Sequence, residues 1–171
     1  TLSGLVKLTD SGTARTLTIN VTNEARITGV VTNGGAGVGS LTKSGPGLLI
    51  LANDNRYTGV TTAGGGVLQL NSANALPGGI GTAGGTNNLT FNGGVVGLGA
   101  GDFTRSLDAV ATKTAATFTG NGGWAAYGAD RVVNLGGASE TISWSTPGTG
   151  LNNRTLILGA PTATHTVTLQ N

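Results

Sequence analysis

The sequence lacks cysteine and methionine altogether, and charged residues make up only 9% of its 171 positions. Without cysteine, the chain can form neither a disulfide bond nor a thiolate zinc site. Long apolar runs are also missing. The longest, Leu48–Ala52, is far short of the roughly 20 residues that a membrane-spanning helix needs, so no membrane insertion of this segment is expected. The nine basic residues are scattered rather than clustered, and nucleic-acid binding is not expected either.

Glycine is abundant, with 32 residues, and threonine is nearly as common. Disordered chains are rich in charge and poor in valine, leucine and isoleucine, whereas this chain is the reverse. Apolar and polar residues alternate, which is the period of a β-strand, at Leu17–Thr22, Ile142–Ser145 and Val167–Gln170. Turn signals such as Asn33–Gly35 and Asn92–Gly94 lie between such segments. The pattern predicts many short strands joined by tight turns.

The spacing of similar apolar segments separates a solenoid from a set of hairpins. Leu48–Leu51 is followed by Val67–Leu70 and then by Asn88–Phe91, and Arg131–Leu135 is followed by Thr155–Leu158. Successive segments begin about 20 residues apart, which is typical of solenoid repeats. Hairpins usually place a strand about every 8–12 residues. The sequence therefore predicts an all-β fold, a three-sided parallel β-helix (β-solenoid) with about 20 residues per coil.

One segment has a competing interpretation. Asp102–Thr119 contains no glycine or proline, and Phe103, Leu107 and Val110 fall at the spacing of one helix face. Asp102 would then cap a short helix. The threonine content of residues 112–119 argues against a long one.

A specific motif occupies Ser40–Leu70, which reads SLTKSGPGLLILANDNRYTGVTTAGGGVLQL. It resembles the passenger-associated repeat of bacterial autotransporters, with Pro46 and Arg56 as the two deviations. Pieces of Gly122–Leu135 and of the chain's last residues resemble longer versions of the repeat. The matching positions are Leu41, Thr42, Lys43, Gly45, Gly47, Leu49, Leu51, Asn55, Tyr57, Thr58, Gly59, Thr61, Gly66, Leu68 and Leu70.

The resemblance implies a right-handed parallel β-helix, exported by a bacterium and located at the cell surface or in the extracellular space. It also implies a structural stalk without catalytic residues. Residues 1–171 are expected to form a single β-solenoid unit, one period of a tandem array or fibre. Neither end shows a polar cap, so copies of the unit are expected to stack end to end. One alternative is an adhesin segment that contacts glycans or other cells, and a second is a β-helix enzyme that cleaves polysaccharide.

The enzyme alternative depends on the carboxylates, because glycosidases use a pair about 5–10 Å apart. Asp102 and Asp108, near Arg105, are the nearest candidates, but turn or cap roles explain them better. Asp54 is expected to shape the turn before Tyr57. We therefore expect no enzyme and no catalytic residues.

Metal and cofactor sites are not expected either. His165 is the only histidine, it is expected to face outward from a strand, and there is no cysteine to join it in a zinc site. The seven acidic residues are too sparse for regular calcium sites.

The aromatic residues Trp124, Tyr127 and Trp144 have two interpretations. They would suit a platform on which sugars stack, since aromatic rings present an apolar face and a polar edge. In a chain with so few aromatic residues, packing inside a wide coil is the simpler role for each.

Overall fold

The computed structural model describes residues 1–81, 88–107, 115–139, 141–144, 151 and 153–171. Over this part of the chain it contains strands and one short 3-10 turn, Leu135–Gly137. The strands are β1 (Val6–Thr9), β2 (Arg15–Asn20), β3 (Glu24–Ile27), β4 (Val31–Gly34), β5 (Gly39–Ser44), β6 (Leu48–Leu51), β7 (Thr61–Ala63), β8 (Val67–Leu70), β9 (Leu89–Phe91), β10 (Val95–Leu98), β11 (Ala116–Phe118), β12 (Gly122–Ala126), β13 (Arg131–Val133), β14 (Leu156–Leu158) and β15 (Val167–Leu169).

These strands pair in parallel and form four sheets. A six-stranded sheet has the order β14-β12-β10-β8-β6-β3, and a five-stranded sheet has the order β11-β9-β7-β5-β2. The remaining strands pair as β1-β4 and β13-β15, and parallel bridges from Thr32 to Arg56 and from Phe103 to Val133 extend these two pairs. The fold is therefore all-β with parallel sheets, as the sequence predicted.

The chain visits the sheets in a repeating order. After β3 in the six-stranded sheet it passes through β4, then through β5 in the five-stranded sheet, and returns to the six-stranded sheet as β6. We call one such passage a circuit. Each return places a strand beside its predecessor, so the backbone hydrogen bonds of the sheets join one circuit to the next.

The circuits differ in length more than the sequence spacing predicted. In the six-stranded sheet, the step from β6 to β8, which pairs Leu48 with Val67, is the shortest. The steps from β8 to β10 and from β10 to β12 are longer, and the step from β12 to β14, which pairs Gly122 with Leu156, is the longest. The predicted coil length thus fits the step from β6 to β8 but not these later ones. The connections between sheets vary in length, while the paired strands keep their register.

Two of the spacings read from the sequence join strands of different sheets. Leu89–Phe91 pairs within the five-stranded sheet, whereas Val67–Leu70 belongs to the six-stranded one. Likewise β13 pairs with β15, not with β14. Alternation shows which residues face inward, but it carries no signal of which sheet a strand joins.

The short helix considered for Asp102–Thr119 is absent from the part of that segment that is described. Phe103 bridges to Val133, Leu107 bridges to Ala116, and Ala116–Phe118 is strand β11. Residues 108–114 lie outside the described residues. The apolar residues of this stretch that are described therefore serve strand pairing.

The central strands of the six-stranded sheet, β6, β8, β10 and β12, are buried on both faces. Leu49 and Leu51 of β6 belong to the main core between the sheets, whereas Leu48 and Ile50 belong to a second cluster on the opposite face. This outer cluster packs against Ala160 and Ala163. These two residues lie in the segment Gly159–Thr164, which we call the strap. Because they are covered on both faces, these central strands read as continuous apolar runs.

Close approach between circuits fixes the identity of several turn residues, and Gly66 is the clearest case. Its φ of +56° lies in the left-handed region that favours glycine. A Cβ atom at this position would lie 2.3 Å from the carbonyl oxygen of Gly47 and 2.5 Å from that of Pro46, both in the preceding circuit. The turn therefore needs glycine for conformation and for space.

We predict that Gly66→Ala destabilises the protein more than Gly128→Ala does. Gly128 also has a positive φ, of +73°, but a Cβ atom there would meet nothing within 4 Å. The control should cost about 1–2 kcal/mol for the backbone conformation, and Gly66→Ala should cost a further 1–3 kcal/mol or so for the steric overlap. Denaturant-induced unfolding of both variants measures the difference, and equal losses would contradict the close approach.

Candidate functional site

A buried lysine joins adjacent circuits at the end of β5. Lys43 follows Leu41 on the inward face of the strand, and its side chain is completely buried. Its Nζ donates hydrogen bonds to the carbonyl oxygens of Ser44 (2.9 Å), Gly45 (2.8 Å) and Gly65 (2.9 Å). An ammonium group has three donors, so all of them are used. Burial lowers the pKa of Lys43 from its ordinary value. The lysine thus links the turn after β5 to the turn after β7 in the next circuit. We call such turns between strands corners; there the backbone is no longer paired with the neighbouring strand.

A buried asparagine connects three circuits in the same region. Asn55 Oδ1 accepts a hydrogen bond from the backbone N–H of Val31 (2.8 Å), and Asn55 Nδ2 donates one to the carbonyl oxygen of Ala75 (2.7 Å). Val31 belongs to the circuit before Asn55, and Ala75 follows strand β8 of the next circuit. Buried backbone groups need partners, and this amide supplies one to each neighbour.

Tyr57 lies fully inside the core two positions later. Its hydroxyl shares a 2.6 Å hydrogen bond with Thr61 Oγ1. Burial raises the pKa of Tyr57 above its ordinary value, and the hydrogen bond to Thr61 opposes part of that change. The phenol therefore packs in the core with its polar end hydrogen-bonded.

Three carboxylates occupy corners between strands and bind groups of the neighbouring circuit. Asp102 Oδ1 accepts from the N–H of Val132 (2.8 Å), and Asp130 Oδ1 accepts from the N–H of Thr166 (2.9 Å). Asp54 accepts from Ser72 Oγ and from the N–H of Asn74. The hydrogen bond from Ser72 lowers the pKa of Asp54.

These contacts give each of the three carboxylates a structural role. The expectation that Asp54 shapes a turn agrees with its position, although its contacts reach the following circuit. Asp108, the other half of the carboxylate pair considered above, lies outside the described residues.

Arg105 was not recognised from the sequence as a core residue. Its side chain is completely buried and donates to the carbonyl oxygens of Pro77 (3.0 Å) and Gly79 (2.9 Å from Nε). Burial lowers the pKa of Arg105 to about 10. No hydrophobic periodicity in the sequence predicts this buried position. A single arginine close to two aspartates is instead typical of a solvent-exposed loop.

The three aromatic residues considered as a sugar platform lie in different places. Trp124 is in the core, with ring centroids 5.0 Å from Phe91 and 5.2 Å from Phe103. Tyr127 lies on the outer face of the six-stranded sheet, and its hydroxyl meets Thr162 Oγ1 of the strap at 2.5 Å. Trp144 is 50% exposed. They do not form a common surface.

His165 is exposed and has no acidic partner in the described part of the chain. Its Nδ1 lies 2.8 Å from Thr164 Oγ1, and its backbone forms an antiparallel bridge with Ala126. Among the described residues, no group of three or more histidine, aspartate or glutamate residues could hold a metal ion. Over the same residues, no helix has the length and apolar character needed to cross a bilayer.

A groove of about 430 Å³ runs beside the strap, along the outer face of the six-stranded sheet. One wall follows the corners of four circuits from Thr22 to Val95, and Ile157–Thr162 forms part of the other. None of the described residues that line it carries an ionisable side chain.

We predict that Lys43→Met strongly destabilises the fold. Methionine has a similar volume but leaves three carbonyl oxygens at the corner without their donor, at a cost of about 3 kcal/mol or more. Lys7→Met is the matched control, because Lys7 is exposed and its replacement should change the free energy of unfolding by less than about 0.5 kcal/mol. Similar unfolding curves for the two variants would show that the buried ammonium contributes nothing.

We predict that stability falls at alkaline pH through Tyr57. Above its ordinary pKa of about 10, the phenol ionises in the unfolded chain but stays neutral in the core, so the free energy of unfolding decreases by up to about 1.4 kcal/mol per pH unit. Urea unfolding of the wild type and of the tyrosine variants between pH 8 and pH 11 isolates this contribution, because the lowered pKa values of Lys43 and Arg105 raise the free energy of unfolding over part of the same range and oppose it. Tyr57→Phe should reduce the slope more than Tyr127→Phe does. An unchanged slope in Tyr57→Phe would contradict the burial of the phenol.

Comparison with known proteins identifies one part of the chain. No curated protein and no solved structure matches the sequence. Residues 41–70 match the passenger-associated-transport-repeat family, which confirms the resemblance noted in the sequence. The segment that contains Lys43, Asn55 and Tyr57 is therefore similar to the passenger-associated transport repeat.

Proposed function

We propose that this chain is part of a right-handed parallel β-solenoid that serves as a stiff structural stalk or filament outside a bacterial cell. The observation that carries the proposal is the repeating order in which the chain visits the parallel sheets, with each circuit in register with the one before. Parallel strands joined through crossovers are right-handed in about 98% of cases. A stack of this kind resists bending because every circuit is hydrogen-bonded to its neighbours along the axis.

The contacts of the acidic residues support a structural role over an enzymatic one. Asp54, Asp102 and Asp130 are used as corner hydrogen-bond acceptors. Among the residues that the structure describes, those that line the groove beside the strap carry no ionisable side chain. The adhesin alternative has less support, since its three candidate aromatic residues lie in different parts of the structure. The family of residues 41–70 supports an extracellular location.

Both ends of the stack carry features suited to further circuits. At one end Leu2 and Leu5 are 51% and 62% exposed, and at the other end Leu158 is 50% exposed. β2 and β14 are edge strands of their sheets. Exposed edges and apolar side chains favour pairing with another strand. The proposal is that further circuits, from a second copy or from adjoining chain, pair with these edges.

The proposal predicts that the purified chain assembles into rods. Electron microscopy should show filaments much longer than the roughly 24 Å spanned by the six-stranded sheet at about 4.8 Å per strand. Compact discrete particles at all concentrations would contradict end-to-end stacking.

A single substitution on the β2 edge provides the internal control. Arg15 and Val21 donate their N–H groups toward β5, so the alternate residue Thr16 directs its N–H to the free edge. Thr16→Pro removes that donor without breaking a hydrogen bond to β5 and should shorten the rods. Thr16→Val keeps the N–H and should assemble normally.

A further inference from the structure

The outward face of the five-stranded sheet carries a ladder of threonines in register. Thr18 pairs with Thr42, Thr42 with Thr62, Thr62 with Thr90, and Thr90 with Thr117. Five consecutive strands therefore place the same side chain at the same position, about 4.8 Å apart along the axis. We call these five residues the threonine ladder.

The ladder faces away from the core. Its neighbours Leu41, Thr61, Leu89 and Ala116 are fully buried, and side chains alternate across a strand. Thr18 is exposed, and the other ladder residues are partly exposed. In the described part of the chain, the hydroxyls of Thr18, Thr42, Thr62 and Thr90 make no hydrogen bond. A row of hydroxyl groups is thus available to a partner.

The rest of this face is neutral and able to form hydrogen bonds. The other outward positions of β2 and β5 are Thr16, Asn20, Ser40 and Ser44. The remaining sides of the stack differ: the outer face of the six-stranded sheet contacts the strap, and the β1-β4 side carries Lys7 and, across the bridge from Thr32, Arg56. Arg56 on that side interacts electrostatically with the carboxylate of Asp54, so pairing two rods there would bury charged groups at a desolvation cost. Contact through the ladder residues buries no charged side chain.

We infer that the threonine ladder is a lateral contact surface through which two rods of this protein pack side by side. The inference rests on the proposed function, because it requires rods. A second copy is the partner that the geometry favours, since its ladder has the same axial repeat by construction. A hydroxyl group both donates and accepts, so two identical ladders related by a two-fold axis complement each other.

The contact gains strength with length. Each additional circuit adds another pair of facing threonines, and the pairs along one rod bind together rather than independently. A polysaccharide is the competing partner for a neutral hydroxyl face. It is less suited here, because sugar binding favours aromatic rings and no aromatic side chain occupies an outward position of the five strands.

The test uses the double variant Thr42→Lys with Thr62→Lys, which places two like charges in the middle of the ladder. A lysine side chain at an outward position of a strand stays in solvent and does not enter the core. The matched control is Ala73→Lys with Ala100→Lys, which adds the same charge at exposed positions after β8 and β10. Cryo-electron microscopy and sedimentation of the wild type and both variants report the width and mass per length of the rods.

We expect the wild type and the control to form laterally paired rods with twice the mass per length of a single rod, and the ladder variant to form single rods of unchanged length. Paired rods in the ladder variant, or single rods in the wild type, would overturn the inference while leaving the stalk function intact. Wild-type rods that pair only after a neutral polysaccharide is added would also overturn it, in favour of glycan binding. If the wild type forms no rods at all, the proposed function itself fails.

Discussion

The structure depends on hydrogen bonding between parallel strands of successive circuits. A strand in such a stack cannot satisfy its backbone alone, so each circuit must return to the register of the one before. The connections differ in length, from the short step between β6 and β8 to the long step between β12 and β14, yet register is kept throughout the six-stranded sheet. Register then aligns side chains into columns, apolar inside and hydroxyl-bearing on one outer face.

Hydrogen bonding between circuits is weakest at the corners, because the backbone there is no longer paired with a neighbouring strand. Three buried polar side chains satisfy backbone groups at these places. Lys43, Asn55 and Arg105 each bind carbonyl or N–H groups of another circuit. Three aspartates, Asp54, Asp102 and Asp130, do the same at the surface. Leaving a buried carbonyl unpaired costs about 1–3 kcal/mol. Two buried polar residues of the matched repeat, Lys43 and Asn55, are therefore explained by backbone satisfaction between circuits.

Much of the fold was predictable from the sequence. The predictions that were wrong or missing have identifiable physical reasons. Alternation at Leu17–Thr22 correctly predicted a strand, and the motif at 40–70 correctly predicted a passenger-associated repeat. The length of a circuit was predicted poorly, because Val67–Leu70 and Leu89–Phe91 look alike but lie in different sheets. The packing of the strap on the outer cluster could not be predicted from the sequence. A strand buried on both faces is a continuous apolar run, and such a run does not show which segment covers it. Arg105 was missed because its partners are carbonyl oxygens, which carry no sequence signature.

The central claim is that the chain stacks circuit upon circuit along one axis, and a distance across the stack tests it directly. The absence of cysteine allows spin labels to be placed uniquely at Glu24→Cys and Thr155→Cys, two exposed positions at opposite ends of the six-stranded sheet. Five strand spacings separate their rows, so pulsed electron paramagnetic resonance should give one narrow distribution centred near about 25 Å, at about 4.8 Å per spacing. A broad distribution, or a distance below about 15 Å, would contradict the stack.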